Sequence, residues 1–216
     1  DDIPLILKRV YAARSVSESQ LSMALPGLLK PSFDQLNIAL DLLEKCILED
    51  RRILIVGDFD ADGATASAVA IKALRLMGAK HVDFLVPNRF KHGYGLSPEI
   101  VQEAKTDKDP NLIITVDNGI SSNEGAALAR SFAIDVIITD HHLPPKVLPE
   151  ANSIINPNLR GCDFPSKNLA GVGVCFYLFS ALKTHLAGKG YFEAHNIQVP
   201  DLRELLDLVA LGTVAD

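Results

Sequence analysis

The feature that most constrains this chain is a recurrence of short, mainly apolar runs, each followed closely by acidic or imidazole side chains and then by a helix-forming stretch. Ile53-Leu54-Ile55-Val56 leads into Gly57-Asp58-Phe59-Asp60-Ala61-Asp62-Gly63. Leu112–Val116 leads into Asp117-Asn118-Gly119, and Asp135–Thr139 into Asp140-His141-His142. Apolar runs without polar alternation suit parallel strands covered on both faces. Between them the pattern predicts a helix over 64–77 closed by Gly78, a strand over 82–86, and a helix over 98–105 opened by Ser97 with Pro98 in its first turn. A helix over 122–132 and a strand over 153–155 continue the series. Strands alternating with helices make an α/β fold: a doubly wound, mostly parallel sheet flanked by helices.

Residues 1–50 are expected to form an N-terminal helical region, and 51–216 the α/β core. Leu5-Ile6-Leu7, Val10 and Tyr11 make one apolar stripe. Two Ser-x-x-Gln segments, 17–20 and 32–35, fit capping boxes, and the second precedes Leu36, Ala39, Leu40, Leu43 and Ile47 at helical spacing. Helices over 172–186 and 202–211 are expected to close the fold, with Gly171 and Gly173 marking a close approach of backbone to backbone.

Composition narrows the class. The 216 residues are 48% hydrophobic and 22% charged, as in a soluble domain. No apolar run nears the ~20 residues of a membrane span. The opening Asp1-Asp2-Ile3-Pro4 has no signal-peptide character and no initiator Met, so a piece of a longer, cytoplasmic protein is expected. Cys46, Cys162 and Cys175 are scattered, which argues against a disulfide framework or a thiolate zinc site and for small buried hydrophobes. A net charge of −6 is unusual for a nucleic-acid binder, but bound cations would neutralise a carboxylate cluster.

The ends of parallel strands are where open α/β sheets bind ligands. Here Asp58, Asp60, Asp62, Asp117, Asp140, His141 and His142 stand at such ends, and Gly212-Thr213-Val214-Ala215-Asp216 is a further apolar segment finishing in a carboxylate. Any one Asp after a strand is ordinarily a helix N-cap, and a lone His pair is ordinarily surface or core. The Asp-x-Asp-x-Asp-Gly run is similar to a calcium loop but lacks the later Glu, and neither GxGxxG nor a P-loop Lys is present. Together, however, so many carboxylates need positive charge between them. Oxygen ligands with imidazole suit Mn²⁺ or Mg²⁺, and the number of ligands suits two ions sharing a bridging carboxylate. Such a pair activates water and stabilises charge on a phosphoryl group.

These four motifs resemble the signatures of the DHH phosphoesterase superfamily. Val86-Pro87-Asn88-Arg89, Gly93-Tyr94-Gly95-Leu96-Ser97, Ile155-Asn156-Pro157-Asn158 and Leu169-Ala170-Gly171-Val172-Gly173-Val174 resemble its bacterial RecJ branch. That resemblance implies a 5′→3′ exonuclease on single-stranded DNA that releases 5′-mononucleotides in repair and recombination, beside a single-strand-binding protein and a helicase, and away from membranes. It further implies that Asp60 and Asp117, with Asp58, hold one ion, and that Asp62, Asp117, His141 and Asp216 hold the other, making Asp117 the bridge. His142 is expected at the scissile phosphate, with Arg89 and Asn118 as further substrate contacts and Asp140 orienting an imidazole. Many superfamily members carry His where Val56 stands, so one ligand of the first ion must come from elsewhere, Asp58 being a candidate. C-terminal DHHA1 and oligonucleotide-binding domains are expected outside this chain. Two other functions share these motifs: a small-molecule or short-oligonucleotide phosphoesterase, such as a pyrophosphatase or cyclic-dinucleotide hydrolase, and a replication scaffold without catalysis. The second is expected to have lost ligands that are all present here.

Overall fold

The computed structural model describes residues 3–17, 21 and 28–216, without the side chains of Arg89 and Phe90. The chain forms two compact units, residues 1–30 and 31–216. In the first, helix α1 (Leu5–Ala13) has no buried residue, and the expected apolar stripe is open, with Leu5 and Ile6 each 66% exposed. Of the capping box expected over 17–20, residues 18–20 lie outside the described ones.

The second unit opens with α2 (Leu36–Leu48), which buries Leu36, Ala39, Leu40, Leu43, Cys46 and Ile47 at helical spacing. The capping box expected over 32–35 does not form: Gln35 is the N-cap but makes no side-chain cap bond. Its side-chain oxygen instead accepts from the backbone N–H of Ile154 at 2.7 Å, while its carbonyl accepts from the Ser153 hydroxyl at 3.0 Å. A long-range backbone donor has displaced the local cap.

The chain then alternates: β1 (Ile53–Gly57), α3 (Ala61–Leu76), β2 (Val82–Leu85), a short α4 (Arg89–His92), α5 (Pro98–Asp107), β3 (Leu112–Val116), α6 (Asn123–Ser131), β4 (Asp135–Thr139) and β5 (Ser153–Ile155). Next come α7 (Gly171–Gly188), α8 (Tyr191–Ala194), a 3₁₀ turn (Leu202–Leu205) and α9 (Leu206–Ala215). The five strands are parallel in the order β2-β1-β3-β4-β5. β1 and β3 are buried at every position, as their uninterrupted apolar runs require.

Two apolar cores lie on opposite faces of the sheet. Ile53, Ile55 and Ile114 face α2, α3 and α7, whereas Leu54, Val56 and Ile113 face α5 and α6. β1 therefore sends its connection over one face toward β2, and β3 sends its connection over the other face toward β4. Between the tips of these adjacent strands the connections diverge, leaving the crevice that open α/β sheets use for ligands.

Two boundaries differ from the sequence pattern in ways that matter. Helix α3 starts at Ala61 rather than Ala64, because the Asp60 carboxylate accepts from Gly63 N–H at 2.9 Å and caps it. Asp62 thus lies in the first turn of a helix rather than in a loop. The closing segment stays helical through Ala215, so Asp216 arrives from a helix C-terminus and not from a strand tip. Cys46 and Cys175 are buried thiols, Cys162 is partly buried, and all three are free.

Replacing Gln35 by Ala should cost about 1–3 kcal/mol of stability, because it strands the buried Ile154 N–H. Denaturant unfolding would show it as a lower midpoint at unchanged slope; an unaltered midpoint would mean that water replaces the amide.

Candidate metal centre

Each carboxylate at the rim is placed by its local backbone. Asp58 turns back to accept from Phe59 N–H at 2.7 Å, and Asp60 caps α3. Gly63 allows this turn to close: a Cβ there would lie 2.6 Å from the Asp58 backbone. Asp62 is 1% exposed, and its two oxygens accept from Gly171 N–H (2.6 Å) and Val172 N–H (2.8 Å) at the start of α7. A helix N-terminus, with free donors and a positive dipole end, stabilises such a carboxylate.

Asp117 follows β3 with φ of +62°, a left-handed conformation that Asp tolerates better than most residues. Its N–H continues the ladder by donating to Thr139 O at 3.0 Å. The neighbouring Asn118 is fully buried, and its side-chain nitrogen donates to Val56 O (3.0 Å) and Val116 O (2.9 Å). It braces the tips of β1 and β3 and is not among the residues lining the cleft. Gly171 packs directly on Asp117, where a Cβ would come within 2.5 Å of the carboxylate. The close approach expected at Gly171 is therefore of backbone to a side chain, and Gly173 likewise faces the Leu169 side chain.

Asp140, at the tip of β4, is 1% exposed and accepts four bonds: from the backbone N–H groups of Ile120, His141 and His142, and across to His142 Nδ1 at 2.7 Å. Burial alone would raise its carboxyl; these donors, His142 foremost, hold it below the usual range. It orients His142, as expected, and shapes the turn. Asn156 and Asn158, just after β5, hold the turn from the other side by donating to the carbonyls of His142 and His141.

These constraints bring the predicted donors together. Asp58, Asp60 and Asp117 each place one ligand atom within 4.8 Å of the others, and so do Asp62, His141 and Asp216. His141 Nε2 lies 3.1 Å from Asp117 and 3.8 Å from Asp62, while its Nδ1 is 3.7 Å from Asp216. His141 and Asp117 therefore join the two triads. Despite their proximity, Asp117 Oδ1 and His141 Nε2 are buried and neither has a hydrogen-bond partner. Buried polar atoms are almost always bonded, so orphaned acceptors on a carboxylate and an imidazole fit a cation.

The electrostatics agree. Burial pushes the Asp117 carboxyl up to about 7, against the pull of His141 and with a further push from Asp62. Asp58 and Asp62 are raised too, chiefly by burial. Contact with Asp117 holds His141 above its ordinary value, and Asp140 holds His142 up at about 9. The cluster resists carrying its full negative charge without cations.

A cleft of about 790 Å³ opens beside the centre, and Asp58, Asp60, Tyr94, Ser121, Asp140 and His142 are among the residues lining it. Arg89 begins α4, and its side chain lies outside the described ones. Three contributions had no signal at the level of residue type: the α7 amides on Asp62, the Asn156–Asn158 clamp and the hydroxyl of Tyr94, which stands 3.5 Å from His142 Nε2. All three lie in segments that carry the resemblance, Gly93–Ser97, Ile155–Asn158 and Leu169–Val174, but the residue types there do not specify these contacts.

Relatives from Salmonella typhimurium and Escherichia coli, each named single-stranded-DNA-specific exonuclease RecJ, are 54% identical to this chain over 217 residues. The match takes in 100% of the chain and 37% of each relative, so the chain spans little more than a third of their length. A crystal structure of exonuclease RecJ bound to manganese has the same fold, with a TM-score of 0.72 and 33% identity over 88% of this chain and 45% of that one. The family model described as the DHH family, N-terminal domain, matches residues 52–213, which include every rim carboxylate but Asp216. With that domain over most of its length, the chain belongs to the DHH family.

Proposed function

We propose that the protein containing this chain hydrolyses phosphodiester bonds of single-stranded DNA from the 5′ end, releasing 5′-mononucleotides, with Mn²⁺ or Mg²⁺ as cofactor. The observation that carries this reading is the pair of donor triads meeting at Asp117 and His141. The names of the relatives supply the substrate class, and the manganese in a related structure supports the metal. In this reading Asp58, Asp60 and Asp117 hold one ion, and Asp62, Asp117, His141 and Asp216 hold the other. Ions so held supply positive charge for a phosphoryl group and make water nucleophilic at neutral pH.

The remaining residues position substrate. His142 is 47% exposed at its side chain and turns Nε2 away from Asp140 toward the cleft, where it can donate to the scissile phosphate. Arg89 is a further phosphate contact, since a guanidinium pairs with phosphate in bidentate fashion. Asn118, whose amide hydrogens are already given to Val56 and Val116, serves by fixing the strand tips rather than by donating to DNA. Among the described residues no helix is long and apolar enough to cross a membrane. A cytoplasmic enzyme working beside a helicase and a single-strand-binding protein, with further C-terminal domains forming the other wall of the cleft, completes the proposal.

Full-length protein with Mn²⁺ should shorten 5′-labelled single-stranded DNA while leaving pyrophosphate intact; pyrophosphate turnover with intact DNA would transfer the site to a small-molecule phosphoesterase. Asp117→Asn should lower nuclease turnover by more than about a hundredfold, since it removes the carboxylate assigned to both ions. Near-normal rates would refute the bridge.

A pH dependence follows from Asp117. Its folded pKa of about 7 lies above its unfolded value, so the stability it contributes is complete below pH ~4 and is lost as pH rises through 7. His142, raised to about 9, acts in the same direction at higher pH. The metal-free protein should therefore lose stability between pH 5.5 and 8 on the order of a few kcal/mol from this cluster. The rise in Tm on adding Mn²⁺ should be larger at pH 8 than at pH 6. An increment independent of pH would show that these carboxyls do not receive the ion.

A further inference from the structure

Tyr94 sits in a loop built with unusual constraint. It stands between Gly93 and Gly95, whose φ angles of +72° and +74° lie in the left-handed region open to glycine. Beyond it the chain is locked down. Leu96 N–H donates to Ser122 Oγ at 3.1 Å, and Leu96 is fully buried. Gly125 presses so closely on Leu96 that a Cβ there would lie 1.8 Å from the Leu96 carbonyl oxygen. Ser97 then caps α5 by accepting from Ile100 N–H. A loop pinned to two helix starts thus delivers one side chain, itself 52% exposed, over the tip of β3.

There the Tyr94 hydroxyl donates to the carbonyl of Asp117 at 3.4 Å and stands 3.5 Å from His142 Nε2. The two rings meet edge to face, with centroids 6.1 Å apart and planes at 81°. The opposite nitrogen of His142 is already bonded to Asp140 at 2.7 Å. With its one hydrogen given to the Asp117 carbonyl, the phenol oxygen faces Nε2 as an acceptor, which suits an imidazole that carries hydrogen there. Without it, the exposed end of His142 would be held from one side only.

We propose that Tyr94 is a positioning residue for His142: Asp140 grips the imidazole from behind at Nδ1, Tyr94 meets it in front at Nε2, and together they fix the ring at the mouth of the metal centre. The proposal rests on the hydrolysis proposed above for what His142 touches, but the placement of the ring stands on this geometry alone. Tyr94 acts through His142 and is not assigned a contact with the reacting atoms.

The test is a double-mutant cycle in full-length, Mn²⁺-loaded protein, using Tyr94→Phe, which keeps the ring and removes one oxygen, and His142→Ala. Tyr94→Phe should keep KM within about twofold and lower kcat about tenfold. In the His142→Ala background the same change should have no further effect on kcat. An equal loss in both backgrounds overturns the proposal, as does a raised KM at unchanged kcat, which would make Tyr94 an independent substrate contact. Histidine ring-nitrogen NMR of the Mg²⁺-loaded protein gives a readout that needs no turnover. Tyr94→Phe should shift His142 Nε2 and leave His141 in place, and an unmoved Nε2 overturns the assignment. If the wild type cleaves no DNA, the proposed function fails, while the NMR comparison still decides the role of Tyr94.

Discussion

The rim of this sheet is organised around a carboxylate held where water cannot neutralise it. Asp117 is 2% exposed, sits on a left-handed backbone turn and has the glycine that opens α7 packed against it. Burying a charge costs several kcal/mol unless it is paired with good geometry. His141 lies 3.1 Å away, an ion pair without hydrogen-bond geometry, and Asp62 adds like charge nearby. Much of the surrounding covalent design keeps that strained group in place. Gly63 lets Asp58 fold back, Gly119 clears the Thr115 side chain with φ of +109°, and Gly212 lets α9 approach Asp62 and Thr65. In the proposed function, the carboxylate that burial destabilises in the metal-free chain is the one assigned to both cations, so stability is set against function at one residue.

Most of the architecture, and the identity of the rim donors, could be read from residues because both rest on short-range rules. Four- and five-residue apolar runs alternating with helix formers suit the doubly covered strands of a parallel sheet, and the acids that follow them then stand at its carboxyl edge. What escaped was set by partners far away in the chain. Gln35 satisfied the local pattern for a cap, but β5 lies 119 positions away and needed an acceptor for Ile154 N–H, so the side chain serves the sheet. The helix after β1 was expected three residues late because Asp60 was read as a ligand alone, when its second oxygen also leaves it free to cap. Asp216 was grouped with the strand tips, but the helix carrying it packs on α3 and α7 and delivers the carboxylate sideways to His141.

The two histidines show how far a motif can be read on its own. Adjacent in sequence, they point to different tasks because their surroundings differ. His141 faces three carboxylates and has an orphaned, buried Nε2. His142 is committed to Asp140 at one nitrogen and exposes the other. Nothing in the His-His pair distinguishes them. The distinction is made by the Asp140 turn, by the asparagines that clamp both carbonyls and by Tyr94, supplied respectively by β4, by the loop after β5 and by the loop before α5.

The charge balance of the cleft has a consequence for the order of events. The chain carries a net charge of −6, and among the described residues that line the cleft there is neither Lys nor Arg, whereas Asp58, Asp60, Glu124 and Asp140 are all present. A DNA strand is itself a polyanion, and most of its nonspecific affinity for proteins comes from cationic side chains. On this lobe such attraction is scarce, with the His142 imidazole the positive group that the cleft lining contributes. Substrate affinity in the proposed reaction is then tied to the same cations as turnover: the carboxylates must first be neutralised before a phosphate can approach them. Binding and hydrolysis become two readings of one electrostatic condition, set by how many of the rim carboxyls are ionised and paired.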